Sequence, residues 1–190
     1  MADADFPIWK TVTLGTFRSI GSLRRALLKG GYYRYIGDEN EDREYRPARS
    51  ADELDTDFEA MLARTPLAVR RTKVDLVRVT LPQLGFEGRT RHGLYLSGPM
   101  FHEITYRIWN RGWRLCPAEV ALQLRLQYPR QPLGEVIEVA VEPIHIPGNG
   151  YPFTYVVFHD GCGRFVIEWE KKHGELSTES FWVFVKPRTP

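Results

Sequence analysis

Apolar positions along this chain change their spacing near Leu115: before it they recur mostly at helical intervals, and after it they alternate. Trp9 to Leu14 is an early exception, alternating and β-branched, and predicts a first strand. Ser19 then precedes Ile20, Leu23 and Leu27, the stripe of a capped helix that Gly30 and Gly31 stop. Ser50 and Glu53 have the spacing of a capping box, followed by Leu54, Phe58, Met61 and Leu62 at i, i+4, i+7, i+8. This predicts a helix to about Arg64, ended by Pro66. Val74 to Leu81 reads as a strand and Arg89 to Ser97 as a loop. Ser97 and Pro99 open another helix, with Phe101, Ile104 and Ile108 inward and Gly112 as its stop.

Beyond Leu115, Pro117 with Glu119 predicts one short helical turn. Leu122, Leu124, Leu126 and Tyr128 then alternate with Gln123, Arg125 and Gln127, the pattern of a half-buried strand. Glu135 to Val141, Phe153 to His159, Arg164 to Trp169 and Phe181 to Lys186 are four more strand segments, separated by turn residues such as Pro147-Gly148-Asn149-Gly150 and Asp160-Gly161. The expected fold is α+β: mixed strand and helix elements first, then an antiparallel sheet of about five strands.

Composition narrows this only in part. The 190 residues suit one domain, 1–190, and suffice to bury a core. Tyr32 to Arg49 holds Asp38, Glu39, Glu41, Asp42 and Glu44 with hardly an aliphatic residue, so an exposed acidic insertion is expected at about 32–49. A net charge of +2 provides no global field toward nucleic acid or an anionic membrane. Met1 to Phe6 lacks the basic and apolar regions of a signal peptide, and no apolar run reaches the roughly 20 residues of a membrane span. A cytoplasmic protein with free Cys116 and Cys162 thiols is the resulting expectation, with no membrane partner.

The candidate chemistry concentrates between Trp113 and Glu135. If Pro129 to Gly134 is a hairpin turn, Arg125 falls opposite Glu138, and Gln123, Arg125, Gln127, Glu138 and Glu142 share one polar sheet face. That face either meets water or lines a cleft. In a cleft, Arg125 would hold an anion bidentately and a desolvated Glu119 or Glu138 would serve as a base. The candidate ligand-binding residues are therefore Glu119, Gln123, Arg125, Gln127 and Glu138. Cys116, ahead of a proline that starts a helical turn, is either a buried structural thiol or an activated one.

Of the histidines, His92, His102, His145, His159 and His173, none shows the paired spacing of a metal site, and no metal or cofactor is expected. Tyr32-Tyr33-Arg34-Tyr35, the run Arg64, Arg70, Arg71, Lys73, and Arg89, Arg91, His92 are basic or basic-aromatic. An acidic run between the first two offsets much of their field. Phosphate-loop, dinucleotide and nucleophile-elbow motifs do not occur.

Several pieces together resemble a family of uncharacterised small bacterial proteins. They are Trp9-Lys10-Thr11, Leu14-Gly15-Thr16, Val74-Asp75-Leu76-Val77, Leu84-Gly85-Phe86 and, most specifically, Leu115-Cys116-Pro117-Ala118-Glu119-Val120 and Leu124-Arg125-Leu126-Gln127-Tyr128. Gln131-Pro132 with Gly134-Glu135, Glu142-Pro143-Ile144 and Phe184-Val185 complete the likeness. This chain departs from that pattern at Ala121-Leu122, where relatives carry Gly-Pro, and in the acidic segment. The resemblance implies a bacterial, intracellular protein and no activity. The leading expectation is a binding module for a protein or small-molecule ligand. The alternatives are an enzyme acting on an anionic small molecule or nucleotide around Glu119 and Arg125, and a nucleic-acid-binding protein.

Overall fold

Strand β1 (Lys10–Leu14) starts the chain's regular structure, and its β-branched alternation puts Val12 and Leu14 on one buried side. The structure, a computed structural model, describes residues 6–30, 33–36, 44–47, 56–86, 99–147, 152–159, 165–171 and 180–188. Helix α1 (Ile20–Lys29) follows, with the Ser19 side chain accepting a hydrogen bond from Ser22 N at 3.2 Å and Leu23 and Leu27 buried, as the stripe predicts. Strands β2 (Tyr33–Ile36) and β3 (Glu44–Pro47) then pair antiparallel within the acidic segment, whose remaining residues lie outside the described set. Helix α2 (Thr56–Arg64) buries Phe58, Met61 and Leu62; Ser50 and Glu53 lie outside the described residues.

After α2 come β4 (Thr72–Val79), α3 (Pro99–Asn110), α4 (Glu119–Gln127), β5 (Val136–His145), β6 (Pro152–His159), β7 (Phe165–Lys171) and β8 (Phe181–Val185). The fold is α+β, but the sheet corrects the expectation in two respects. It has six strands in the order β1-β4-β8-β5-β6-β7, drawing early and late strands into one layer. It is also mixed: β8 runs antiparallel to β4 but parallel to β5, pairing Ile137 with Phe181 and Val139 with Val183. A single parallel pairing between distant strands leaves no mark on local alternation, which is why an antiparallel meander was the natural expectation.

Each sheet face carries its own core. On one, α1, α2 and α4 cover Val12, Leu14, Leu76, Ile137, Val139 and Val183. On the other, Ile104 and Ile108 of α3 cover Val77, Val79, Trp182 and Phe184, with Trp113 and Phe184 rings stacked 6.2 Å apart. An ion pair at 2.9 Å between Arg24 and Glu59 ties α1 to α2.

The largest correction concerns Leu122 to Tyr128. It is not a strand, and Pro117 with Glu119 opens more than one turn: the segment is helix α4. Every residue from Glu119 to Arg125 is buried, so the helix is enclosed on all sides. An enclosed helix has no solvent stripe, and its 3.6-residue period disappears from the polar–apolar pattern. Leu122, Leu124 and Leu126 alternate in sequence yet project to different sides of a helix.

Candidate functional site

Spacing of four along α4 puts Glu119, Gln123 and Gln127 in one row, each a turn from the next. The row is hydrogen-bonded within itself. Gln123 Nε2 donates to Glu119 Oε1 at 2.8 Å, and Gln127 Nε2 donates to Gln123 Oε1 at 2.8 Å. Its outer side grips the end of β1. Gln127 accepts from Thr13 N at 2.9 Å and donates to Thr13 O at 2.8 Å, replacing a neighbouring strand at that sheet edge. Gln123 Nε2 also donates to Thr16 Oγ1 at 2.6 Å.

Glu119 holds two loops at once. Its Oε1 accepts from Gly15 N at 2.9 Å and its Oε2 from Ala68 N at 2.7 Å. Gly15 belongs to the β1–α1 loop and Ala68 to the α2–β4 loop, and the two loops cross in backbone contact. A Cβ on Gly15 would lie 2.4 Å from Arg70 O and 2.9 Å from Ala68 O, and φ at Gly15 is +67°. Only glycine permits that conformation and that approach together.

These anchored loops form the two walls of an open pocket of about 830 Å³. Thr16, Phe17 and Arg18 line one wall, and Leu67, Val69 and Arg71 the other. No acidic side chain lines it among the described residues. Arg18 and Arg71 are both exposed, so their guanidinium groups keep donors available to a ligand.

Arg125 lies at the other end of α4. Its guanidinium donates to Gln131 Oε1 and to Tyr128 O, each at 2.8 Å. Burial pushes it down to about 10. Gln131 Nε2 in turn donates to Glu135 O at 3.0 Å and Val157 O at 3.1 Å, so Arg125 organises the loop between α4 and β5. Glu135 pairs with Arg78. Burial first, then the neighbouring Glu135, raises the Tyr128 phenol above its ordinary value. The Tyr128 ring meets Trp9 edge-on at 5.4 Å and carries Lys10 Nζ 4.3 Å from its centroid.

The expected polar sheet face does not exist as such. Glu119, Gln123 and Gln127 come together, but on a helix, and Arg125 leads to a separate network. Glu138 lies in β5 beside Trp182 and alternates with Ile137 and Val139, so it belongs to the α3 side of the sheet. It therefore does not oppose Arg125. The Cys116 thiol donates to Val183 O at 3.4 Å, and burial pushes it up, far from the thiolate range. A ring nitrogen of His159, Nδ1, lies 2.8 Å from Gln131 O. His92, His173 and Cys162 lie outside the described residues. Among the described residues, no group of three or more His, Cys, Asp or Glu side chains converges as metal ligands, and no helix is long and apolar enough to cross a membrane.

Sequence inspection missed the pocket itself. Leu14-Gly15-Thr16 after a strand was its available signal, a glycine where a strand turns sharply into a helix. The placement of Arg18 and Arg71 on one pocket depends on the crossing of distant loops and had no local signal. Compared with known proteins, the chain matches no family model, no curated protein and no solved structure.

Proposed function

We propose that this domain is a binding module whose ligand is an anion seated between the β1–α1 and α2–β4 loops. One observation carries the reading. Arg18 and Arg71 reach the same pocket from separate loops, with no carboxylate among its described lining residues. A guanidinium presents fixed, permanently charged donors that suit carboxylate and phosphate oxygens. Among the described residues, the side chains singled out for catalysis are committed elsewhere. Both Glu119 oxygens accept backbone N–H groups, Arg125 is spent on its loop, and the Cys116 thiol is buried. Glu119 thus supports the pocket by positioning its walls.

Isothermal titration calorimetry with inorganic phosphate and pyrophosphate at low salt tests this. Saturable binding is expected, weakened at least about tenfold in Arg18→Ala and in Arg71→Ala, the loss of one charge-assisted contact. Binding that both variants retain, or no binding by either anion, would sink the proposal.

A further inference from the structure

The same pocket has a second chemistry that a plain inorganic anion would leave unused. Beside the two arginines it is lined by Phe17, Leu67 and Val69. Phe17 and Leu67 are half-buried, and Val69 is 99% exposed. An exposed valine alone is unremarkable on a protein surface. This one is held out by the residues around it. Ala68 N, the preceding amide, is fixed by Glu119 at 2.7 Å, and the Ala68 and Arg70 carbonyls on either side of Val69 close against Gly15. The loop therefore cannot turn Val69 inward without breaking the Glu119 contacts, and the side chain remains at the pocket rim.

We infer that the ligand is a small amphipathic organic anion, a carboxylate or phosphate ester whose head meets Arg18 and Arg71 and whose apolar group covers Phe17, Leu67 and Val69. This rests on the proposed anion site and adds the nature of the rest of the ligand. The pocket volume of about 830 Å³ falls within the range usual for small-molecule sites, and apolar lining with a few convergent polar groups is their common composition. Arginines fix the orientation of such a ligand, while the apolar rim adds contact area in proportion to its carbon chain.

A homologous series separates the two levels. Ethyl, butyl and hexyl phosphate are titrated into the full chain by calorimetry, below their aggregation concentrations. Affinity is expected to rise about two- to fourfold for each added methylene, the gain from burying half to all of a CH₂. Val69→Ser should reduce that gain per methylene, and its exposed position predicts a thermal melt like that of the parent chain. Arg71→Ala should weaken every member by a similar ratio and preserve the slope. A flat series that still depends on Arg71 would overturn the amphipathic ligand and leave the anion site standing. Failure of every member to bind would remove both. Binding to anionic phospholipid vesicles without binding to hexyl phosphate would overturn the inference in favour of a membrane surface.

Discussion

Helices α3 and α4 cover opposite faces of one sheet, and they differ in how they treat polar groups. Helix α3 buries Ile104 and Ile108 and leaves Tyr106 and Trp109 in water, 64% and 62% exposed. Its charged pair, Glu103 with Arg107 at 2.9 Å, is partly exposed, and Arg107 also donates to Leu84 O, 23 positions back along the chain. Helix α4 buries its polar side chains with its apolar ones and bonds them to backbone far away, Glu119 to Gly15 across 104 positions and to Ala68 across 51. On the α3 side the sheet is covered mainly by apolar side chains, among them Val77, Val79, Ile104, Ile108, Trp182 and Phe184. On the α4 side a few buried hydrogen bonds also fix where two loops cross, and that crossing is the pocket. A polar group in water is replaceable, whereas one that satisfies buried donors is not.

The sharpest way to break this contrast is Glu119→Leu. The substitution roughly keeps the volume but strands the Gly15 and Ala68 N–H groups and removes one of the two acceptors of the Gln123 amide. It should cost about 3–5 kcal/mol in urea denaturation, the range for removing one partner from a buried charged contact. Glu119→Gln should fall between parent and Leu, since its NH₂ must face a backbone donor. A loss under about 1 kcal/mol for Glu119→Leu would put α4 in the same class as α3.

On the opposite face, Ile108→Ala should cost about 3 kcal/mol through lost burial and the cavity left behind. It should leave anion binding unchanged, because its core is on the far side of the sheet from the pocket. Weakened anion binding in Ile108→Ala would mean that the two faces are coupled through the sheet.

The smallest effect concerns Asp75. Arg188 first, then the Thr11 hydroxyl, hold its carboxyl below the ordinary value. A carboxylate lowered on folding stabilises the fold above its unfolded value of about 3.9 and loses that contribution as pH falls through the folded value. Asp75→Asn should therefore lower stability slightly at neutral pH and flatten the further loss below about pH 4, so that variant and parent converge in acid. Thermal melts across that acid range check it. The effect should be small because the Arg188 side chain is 61% exposed and meets water freely.

The same contrast explains which parts of the fold were readable in advance. Helix α3 was legible from Pro99 to its stop at Gly112 because only one of its sides is covered, and the apolar period survives in sequence. Helix α4 was illegible because burial on every side removes that period, and alternating leucines then imitate a strand. The five candidate site residues divide for a related reason. Gln123 and Gln127 share a side in either reading, since a spacing of four is both even and about one helical turn, and the helix brings Glu119 into the same row. Strand parity added Glu138, which the structure assigns to the other face. The pocket depended on Gly15 meeting Arg70, a contact between loops that no local pattern encodes.

The position of β8 has a consequence for how the chain is made. It lies between β4 and β5, and among the described strands it is the one that joins β1 and β4 to β5, β6 and β7 in the sheet. It is also the last of these strands to leave the ribosome. Until residues 181–185 emerge, β4 and β5 each present an open edge to other chains. The two halves can form early, but their union waits for this late segment, so synthesis is the stage at which the nascent protein most needs protection from aggregation.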